Sequence, residues 1–266
     1  YPPTVSAQIT NGNFETLPAF SSWTVVNNAT NAWYCGAPGA QAGARGAYIS
    51  NNAGGTNTYT NTVSQVSHFY QAAINIPAGQ NVLSFDWKAS GENNYDFLEV
   101  FLVPNGTGVN AGIRMGALNR VAGPLRGQST FQSATINLGC SASAQSRTLV
   151  FSWVNDGSLG ANPPGAIDNI VLTTNPLPTT GIICSNAVSI PSLPYNVAGE
   201  STACMVNNYT AATPGICNGT YAYGEDKVYS YTATGTECIS ITLTGTSTDN
   251  IGFAVYNGCP GAGGVC

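Results

Sequence analysis

The chain has 266 residues, of which only 7% are charged, and its formal net charge is -5. Binding to a phosphate backbone requires clustered Lys and Arg, so a chain with seven such residues is not expected to bind nucleic acid. No stretch approaches the ~20 continuous apolar residues of a membrane span, so we expect no membrane insertion. The chain begins at Tyr1, which is typical of a mature protein or a fragment whose export signal has been removed.

Strand patterns follow one another along the chain, separated by Gly, Pro and Asn. Segment 81–90 (NVLSFDWKAS) and segment 147–156 (RTLVFSWVND) place apolar residues at every second position, which predicts half-buried strands. Segment 95–103 (YDFLEVFLV) is apolar on both faces, which is typical of a central strand. Many short strands with turn residues between them predict an all-β chain built from sandwiches.

A domain boundary is predicted in segment 173–181 (TTNPLPTTG), which has two prolines, four threonines and no apolar periodicity. Residues 1–172 then form one domain of jelly-roll size, and residues 182–266 form a smaller β-sandwich. In this second domain, segment 237–246 (ECISITLTGT) alternates most clearly and predicts a strand. The sequence stops abruptly at Cys266, so we expect the polypeptide to continue beyond it.

The stretch PPGAIDNIVL, residues 163–172, closes the first domain and carries a carboxylate in a predicted strand. Asp168 shares one face of this strand with Ile170 and Leu172. A carboxylate on an apolar face is costly unless it is paired. Either a hard cation such as calcium binds it, or it accepts backbone N–H groups or caps the turn after PPG.

The eight cysteines predict disulfides rather than a zinc site, because their number is even and the chain has a single His. Such a chain is expected in an oxidising, extracellular compartment. A short disulfide between Cys259 and Cys266, a Cys204–Cys217 pair across a hairpin and a Cys184–Cys238 pair together make one of the fifteen arrangements open to the last six cysteines. The cysteines assigned to bridges are Cys35, Cys140, Cys184, Cys204, Cys217, Cys238, Cys259 and Cys266.

Two further groups of residues are candidates for ligand binding and for catalysis. Trp33 and Tyr34 lie among Asn and Gly residues, where exposed aromatic rings bind sugars or protein surfaces; the alternative is that they belong to the core. Glu92, Asp96 and Glu99 form an acidic group of the kind that hydrolyses glycosides. The alternative for this group is solvated acids at a strand end, with Glu99 paired to an Arg.

Residues 1–172 resemble the choice-of-anchor J or cleaved-adhesin family, whose domain is a MAM-like jelly roll of secreted bacterial surface proteins. Five ordered motifs carry the resemblance: NGNFE (11–15), GARGAYISNN (43–52) after Trp33, LSFDWKASGENNYDFLEVFLV (83–103), LVFSWVND (149–156) and PPGAIDNIVL (163–172). Residues 184–266 resemble a PPC-type β-sandwich module, through GEDKVYSYTATG (224–235) and IGFAVYNGCPGAGGVC (251–266).

The resemblance implies a non-catalytic extracellular module, often exported by type IX secretion. It also implies a structural calcium between the first and last strands of the domain, held by Glu15 and Asp168. Asn11 and Asn13 are added as candidate oxygen donors.

The sequence therefore predicts a secreted protein of the cell surface, acting in adhesion or as a structural or filament component, without catalysis of its own. Its expected partners are other surface proteins, copies of itself, or glycans. A carbohydrate-binding module of a larger glycan-active enzyme is the second hypothesis, and a hydrolase that uses the Glu92, Asp96 and Glu99 group is the third.

Overall fold

The computed structural model describes residues 5–7, 9–217, 224–244 and 252–265. The chain is almost all β, as predicted, and it divides into two compact units, Tyr1–Pro176 and Leu177–Cys266. The last strand of the first unit runs to Asn175, so residues 173–175 belong to a strand and not to the predicted linker. Three short 3-10 helices complete the described secondary structure: Ala37–Gly39, Ala117–Asn119 and Cys184–Asn186.

The first unit is a β-sandwich of two antiparallel sheets. The first sheet contains, in spatial order, β3 (Ala32–Gly36), β4 (Gly46–Ser50), β11 (Ala166–Asn175), β6 (Gly79–Ala89) and β9 (Gln128–Ser141), with β1 (Val5–Ala7) beside the second half of β11. The second sheet contains β2 (Thr24–Val26), β5 (Gln65–Ile76), β10 (Gln145–Asn155), β7 (Phe97–Pro104) and β8 (Arg120–Leu125). Consecutive strands cross repeatedly between the sheets, as in a jelly roll.

The three strands predicted from periodicity in the first unit are confirmed as β6, β10 and β7. Strict alternation of buried and half-buried positions along β6 places Leu83, Phe85 and Trp87 in the core between the sheets. β7 is buried on both faces because the loop after it folds back over the outer face of the second sheet, where Val109 and Met115 pack against Phe101.

An aromatic cluster fills the space between the sheets. Phe69 of β5 and Phe151 of β10 stack with their ring centroids 5.0 Å apart. Trp23 and Trp33 meet Phe69 edge-on, at 5.2 and 4.6 Å. Since all four tryptophans of the chain lie in the first unit, tryptophan fluorescence reports the unfolding of this unit alone.

In the second unit, β12 (Val188–Ile190) and β13 (Tyr229–Tyr231) form a parallel two-stranded sheet. The strand predicted over 237–246 is absent from its described part, 237–244, where Ile239, Ile241 and Leu243 are 46–48% exposed. Alternation produces a strand only where a neighbouring strand pairs with it, and no described strand does so here. A sandwich over residues 182–266 stays a prediction.

The cysteine chemistry differs from the arrangement that spacing suggested. Cys184 is bonded to Cys259, so neither the Cys184–Cys238 nor the Cys259–Cys266 pairing is the one found. Cys140, Cys204 and Cys217 are also disulfide-bonded. Among the described cysteines Cys35 and Cys238 are free thiols, so the prediction that both form bridges is wrong; Cys266 lies outside the described residues.

The environment of Cys35 accounts for an unreactive thiol. The residue lies half-buried on β3, and burial raises the pKa of its thiol, which keeps it in the protonated form.

Candidate functional site

The two ends of the first unit meet in the structure. The backbone N–H of Ile170, in β11, donates to the carbonyl of Gly12 at 2.9 Å. A Cβ atom at Gly12 would overlap the carbonyl of Ile170, so only glycine allows this approach. The NGNFE segment and the PPGAIDNIVL segment are therefore neighbours, as the resemblance implied.

Asp168 is fully buried and accepts three backbone hydrogen bonds. Its Oδ2 accepts the N–H groups of Gln41 at 2.8 Å and Ala42 at 3.1 Å, and its Oδ1 accepts the N–H of Asn169 at 2.7 Å. Burial raises the pKa of Asp168, the three N–H groups counteract this, and nearby Asp86 adds to it. The hydrogen-bonded alternative of the sequence analysis is thus what the structure shows.

Glu15 acts on the same segment. Its Oε1 accepts the N–H groups of Ala44 at 2.8 Å and Arg45 at 2.9 Å. Gly43 lies between the two pairs of donors with a φ of +67°, and a side chain there would meet the carboxyl group of Glu15. We call segment 41–45, together with Glu15 and Asp168, the carboxylate clasp.

The asparagines proposed as calcium ligands have other roles. The Asn11 amide accepts the Thr16 N–H at 2.9 Å and donates to the carbonyls of Thr16 and Ser21, which shapes the turn that presents Glu15. Asn13 accepts the N–H of Glu15 at 3.5 Å. The side chain of Asn11 is therefore used within its own turn, and calcium held by Glu15 and Asp168 stays a prediction.

The prediction that Trp33 binds a ligand is wrong. The side chain is 2% exposed, its indole N–H donates to the carbonyl of Ser67 at 3.0 Å, and its ring packs on Phe69. Tyr34, its neighbour, points to the other face of β3 and lies half-buried beside Tyr48. Because β3 is short, the sequence pattern did not show which face Trp33 occupies. A ligand-binding role for Tyr34 stays a prediction.

Glu99 forms a buried ion pair. Its carboxylate, 1% exposed, accepts from Arg114 at 2.7 and 2.8 Å and from Arg120 at 2.5 Å, which confirms the predicted pairing with Arg. Burial alone raises the pKa of Glu99, but the two guanidinium groups outweigh it and hold the pKa below its usual value. This contact pins the loop between β7 and β8 onto the second sheet.

Glu92 and Asp96 separate from Glu99 and join Asp156, with carboxylate oxygens of the three residues within 4.8 Å of one another. Asp156 was not predicted to belong to this group; it reaches Glu92 and Asp96 because Gly91 and Ala161 pair across the two loops. Burial and the neighbouring negative charges raise the pKa values of Glu92 and Asp96.

This acidic group is poorly placed for hydrolysis. Asp96 is 1% exposed; one of its oxygens accepts the hydroxyl of Tyr59 and the other the N–H of Asp156. A sugar has no route to this carboxylate in the structure. Hydrolase activity stays a prediction without support from this geometry.

The side of the sandwich where β8 and β9 end the two sheets is open. A cleft of about 550 Å³ lies there, and its lining includes Leu102, Val121, Ile136, Leu138, Arg120 and Arg147. β9 contains no charged residue and no proline, and most of its side chains are exposed. Sequence reasoning missed this surface, because the β9 segment alternates weakly between polar and apolar residues.

No protein-family model and no curated protein sequence matches this chain. Solved structures with similar folds include a carbohydrate-binding module in complex with β-1,4-galactotriose, at 16% identity and a TM-score of 0.40 over 64% of this chain and all of that one. The K1 cleaved-adhesin domain of Lys-gingipain from Porphyromonas gingivalis W83 shares 14% identity, with a TM-score of 0.39 over 65% of this chain and 99% of that one. A cyclase from Fischerella sp. TAU shares 16% identity, with a TM-score of 0.37 over 66% of this chain and all of that one. Similarities at this level assign neither a family nor a function.

We predict that Asp168→Ala lowers the free energy of unfolding of the first unit by about 2–4 kcal/mol, because three N–H groups lose their acceptor. Asp168→Asn, which keeps one acceptor oxygen, should give a smaller loss. Val171→Ala, on the same strand but 40% exposed, should cost less than about 1 kcal/mol. Urea unfolding followed by tryptophan fluorescence measures all three. Equal losses for Asp168→Ala and Val171→Ala would show that the clasp contributes nothing.

A second prediction concerns pH. A carboxylate whose pKa is lowered by folding stabilises the protein above its unfolded pKa, and that stabilisation is lost as pH falls through the folded pKa. Glu99→Gln should therefore lower the free energy of unfolding by about 2 kcal/mol at pH 7; the loss is moderate because Arg114 and Arg120 are partly exposed to water. The difference from the wild type should shrink below about pH 4.5, where Glu99 becomes protonated in the unfolded protein.

The control for this pH series is Glu225→Gln, at an exposed position of the second unit, which should match the wild type throughout. Urea unfolding at several pH values provides the comparison. A Glu99→Gln effect that stays constant from pH 7 to pH 3 would contradict the assigned ion pairs.

Proposed function

We propose that this chain is a secreted adhesion or structural protein that binds other protein surfaces through the open β8–β9 side of its first unit. The observation that carries the proposal is the exposed outer edge of β9, which offers backbone N–H and C=O groups without the charged or proline residues that usually protect a sheet edge. An extended strand of a partner satisfies those groups directly.

The rest of the surface is consistent with short-range contact. With 7% charged residues, the chain has little long-range electrostatic attraction for a partner, so its binding depends on packing and hydrogen bonds. The disulfide between Cys184 and Cys259 supports an oxidising, extracellular location. Among the described residues no helix is long and apolar enough to cross a membrane.

Carbohydrate binding is the second candidate. The β8–β9 cleft places Arg120, Arg147 and Asn137, whose side chains hydrogen-bond hydroxyl groups, beside the apolar surface of Leu138. A glycan that uses this cleft and a protein strand that uses the β9 edge bind neighbouring surfaces, so an experiment must separate them.

Beads that carry the chain provide this experiment. We expect them to be retained under flow on layers of matrix protein, of the chain itself or of bacterial cells, and to remain there when free oligosaccharides are added. Retention on glycan-coated surfaces alone, with release by a free sugar, supports the carbohydrate-binding candidate and contradicts our proposal. Beads that wash off every surface contradict both.

The calcium of the sequence analysis is the remaining part of this proposal, with Glu15 and Asp168 as its holders. The buried, partly uncompensated charge of Asp168 supports it, since a cation stabilises such a charge. When bound, the ion would add a rigid link between the first and last segments of the sandwich.

Calcium at about 100 times its dissociation constant should raise the melting temperature of the tryptophan transition by roughly 5–10 °C relative to chelator. Glu15→Gln should remove this shift, and the exposed control Glu225→Gln should keep it. A wild type that does not respond contradicts the calcium clasp. A shift that survives in Glu15→Gln places the ion elsewhere, and in the described part of the chain Glu92, Asp96 and Asp156 are the carboxylates that lie close enough together to bind it.

A further inference from the structure

We propose that β9 pairs antiparallel with β9 of a second copy of this chain, which joins two first sheets into one continuous sheet. The inference rests on the proposed function and names the partner that the β9 edge binds. It follows from the strand order, the composition of β9 and the symmetry of such a pair.

β9 is the long unprotected edge among the described strands. The first sheet ends at β9 on one side and at the five-residue β3 on the other. The second sheet ends at the three-residue β2 and at β8, which carries Pro124 and Arg120. Short strands, prolines and charges protect edges, and the 14 residues of β9 have none of these; irregular pairing, which also protects an edge, occurs in β9 only outside residues 132–137.

The composition of β9 favours a copy of itself over a strand from another protein. In a twofold antiparallel pair the residues nearest the axis lie opposite or diagonal to their own symmetry mates, so a charge there would meet a like charge. β9 carries no charge, and the exposed residues of its segment 128–137 are Ser, Thr, Gln and Asn, which hydrogen-bond to one another across strands. A charged partner strand would find no opposite charge here.

Irregularities in the pairing with β6 define the part of β9 along which a second strand can pair regularly. The register shifts beyond Gln132 at one end and beyond Asn137 at the other, which leaves 132–137 as a regular segment. In an antiparallel pair, directly opposite residues point to the same face of the sheet, whereas successive residues of one strand point to opposite faces. The twofold axis therefore passes through a residue and not between two residues. For a copy paired along this segment, that residue is Ala134 or Thr135, at the centre of the segment. In both registers the two Thr135 side chains are opposite or diagonal neighbours.

The size of this contact predicts weak, reversible association. About six backbone hydrogen bonds form along the regular segment, compared with about ten in a typical stable interface. Single pairs should therefore form only at high protein concentration, while many copies on one surface bind together through multivalency. Such behaviour suits an adhesion or structural protein.

The test introduces charge at Thr135 and at a matched position. Thr135, Ser84 and Val171 lie in one row across the first sheet, with Thr135 on the edge strand and Val171 two strands inside. Thr135→Lys and Thr135→Glu should each weaken self-association at least tenfold in sedimentation equilibrium of the full chain. An equimolar mixture of the two variants should restore it, because opposite charges then meet. Val171→Lys should associate like the wild type.

Amide hydrogen exchange locates the contact independently. Raising the protein concentration through the association midpoint should slow exchange in residues 128–141 and leave residues 166–175 unchanged. A wild type that stays monomeric up to millimolar concentration overturns the inference. Dimers without added protection in 128–141, or a Thr135→Lys variant that associates like the wild type, overturn it as well.

The same proteins on beads distinguish this inference from the proposed function. Tryptophan fluorescence first confirms that each variant is folded. If the wild type does not self-associate but its beads are retained on matrix protein or cells, self-pairing is wrong and the adhesion proposal stands. If the wild type self-associates and its beads are retained on the chain itself but not on matrix protein or cells, self-pairing stands and adhesion to other proteins is wrong.

Discussion

The first unit depends on backbone N–H groups that are satisfied by two carboxylates from opposite ends of its sequence. Glu15 and Asp168 are far apart in the chain, and both accept hydrogen bonds from segment 41–45. Three segments that would otherwise be independent are therefore held in one arrangement. The free-energy cost of burying Asp168 is partly offset because its two oxygens accept N–H groups that also need partners.

This arrangement makes the two sides of the sandwich different. On one side, β11 carries Asp168 into the clasp, β4 begins directly after segment 41–45, and the ends of the unit are tied together. On the other side, β8 and β9 are the outermost strands of their sheets, and a cleft lies between them. The charged residues of the first unit are largely used internally, as with Glu99 and its two arginines. The groups that remain exposed for contact with a partner are therefore mainly strand edges and uncharged side chains.

Patterns within short segments of the sequence predicted the features that depend only on neighbouring residues. Alternation identified β6 and β10, and the cost of an acid on an apolar face showed that Asp168 needed partners. Which partners it found depended on contacts over more than a hundred residues, and no local pattern contains these. The same holds for Trp33, which the sandwich buries, and for Asp156, which a loop contact brings to Glu92 and Asp96. Segment 237–244 shows the opposite case. Its residues alternate clearly between apolar and polar, but no described strand pairs with them, so they form no strand.

Amide hydrogen exchange at single residues tests the clasp most directly. Segment 41–45 is largely exposed and belongs to no strand, so without the clasp its N–H groups would exchange as in an open loop. We predict that the amides of Gln41, Ala42, Ala44 and Arg45 exchange slowly, at rates set by unfolding of the whole first unit. Rapid exchange at these four amides, with the neighbouring strands still protected, would contradict the account.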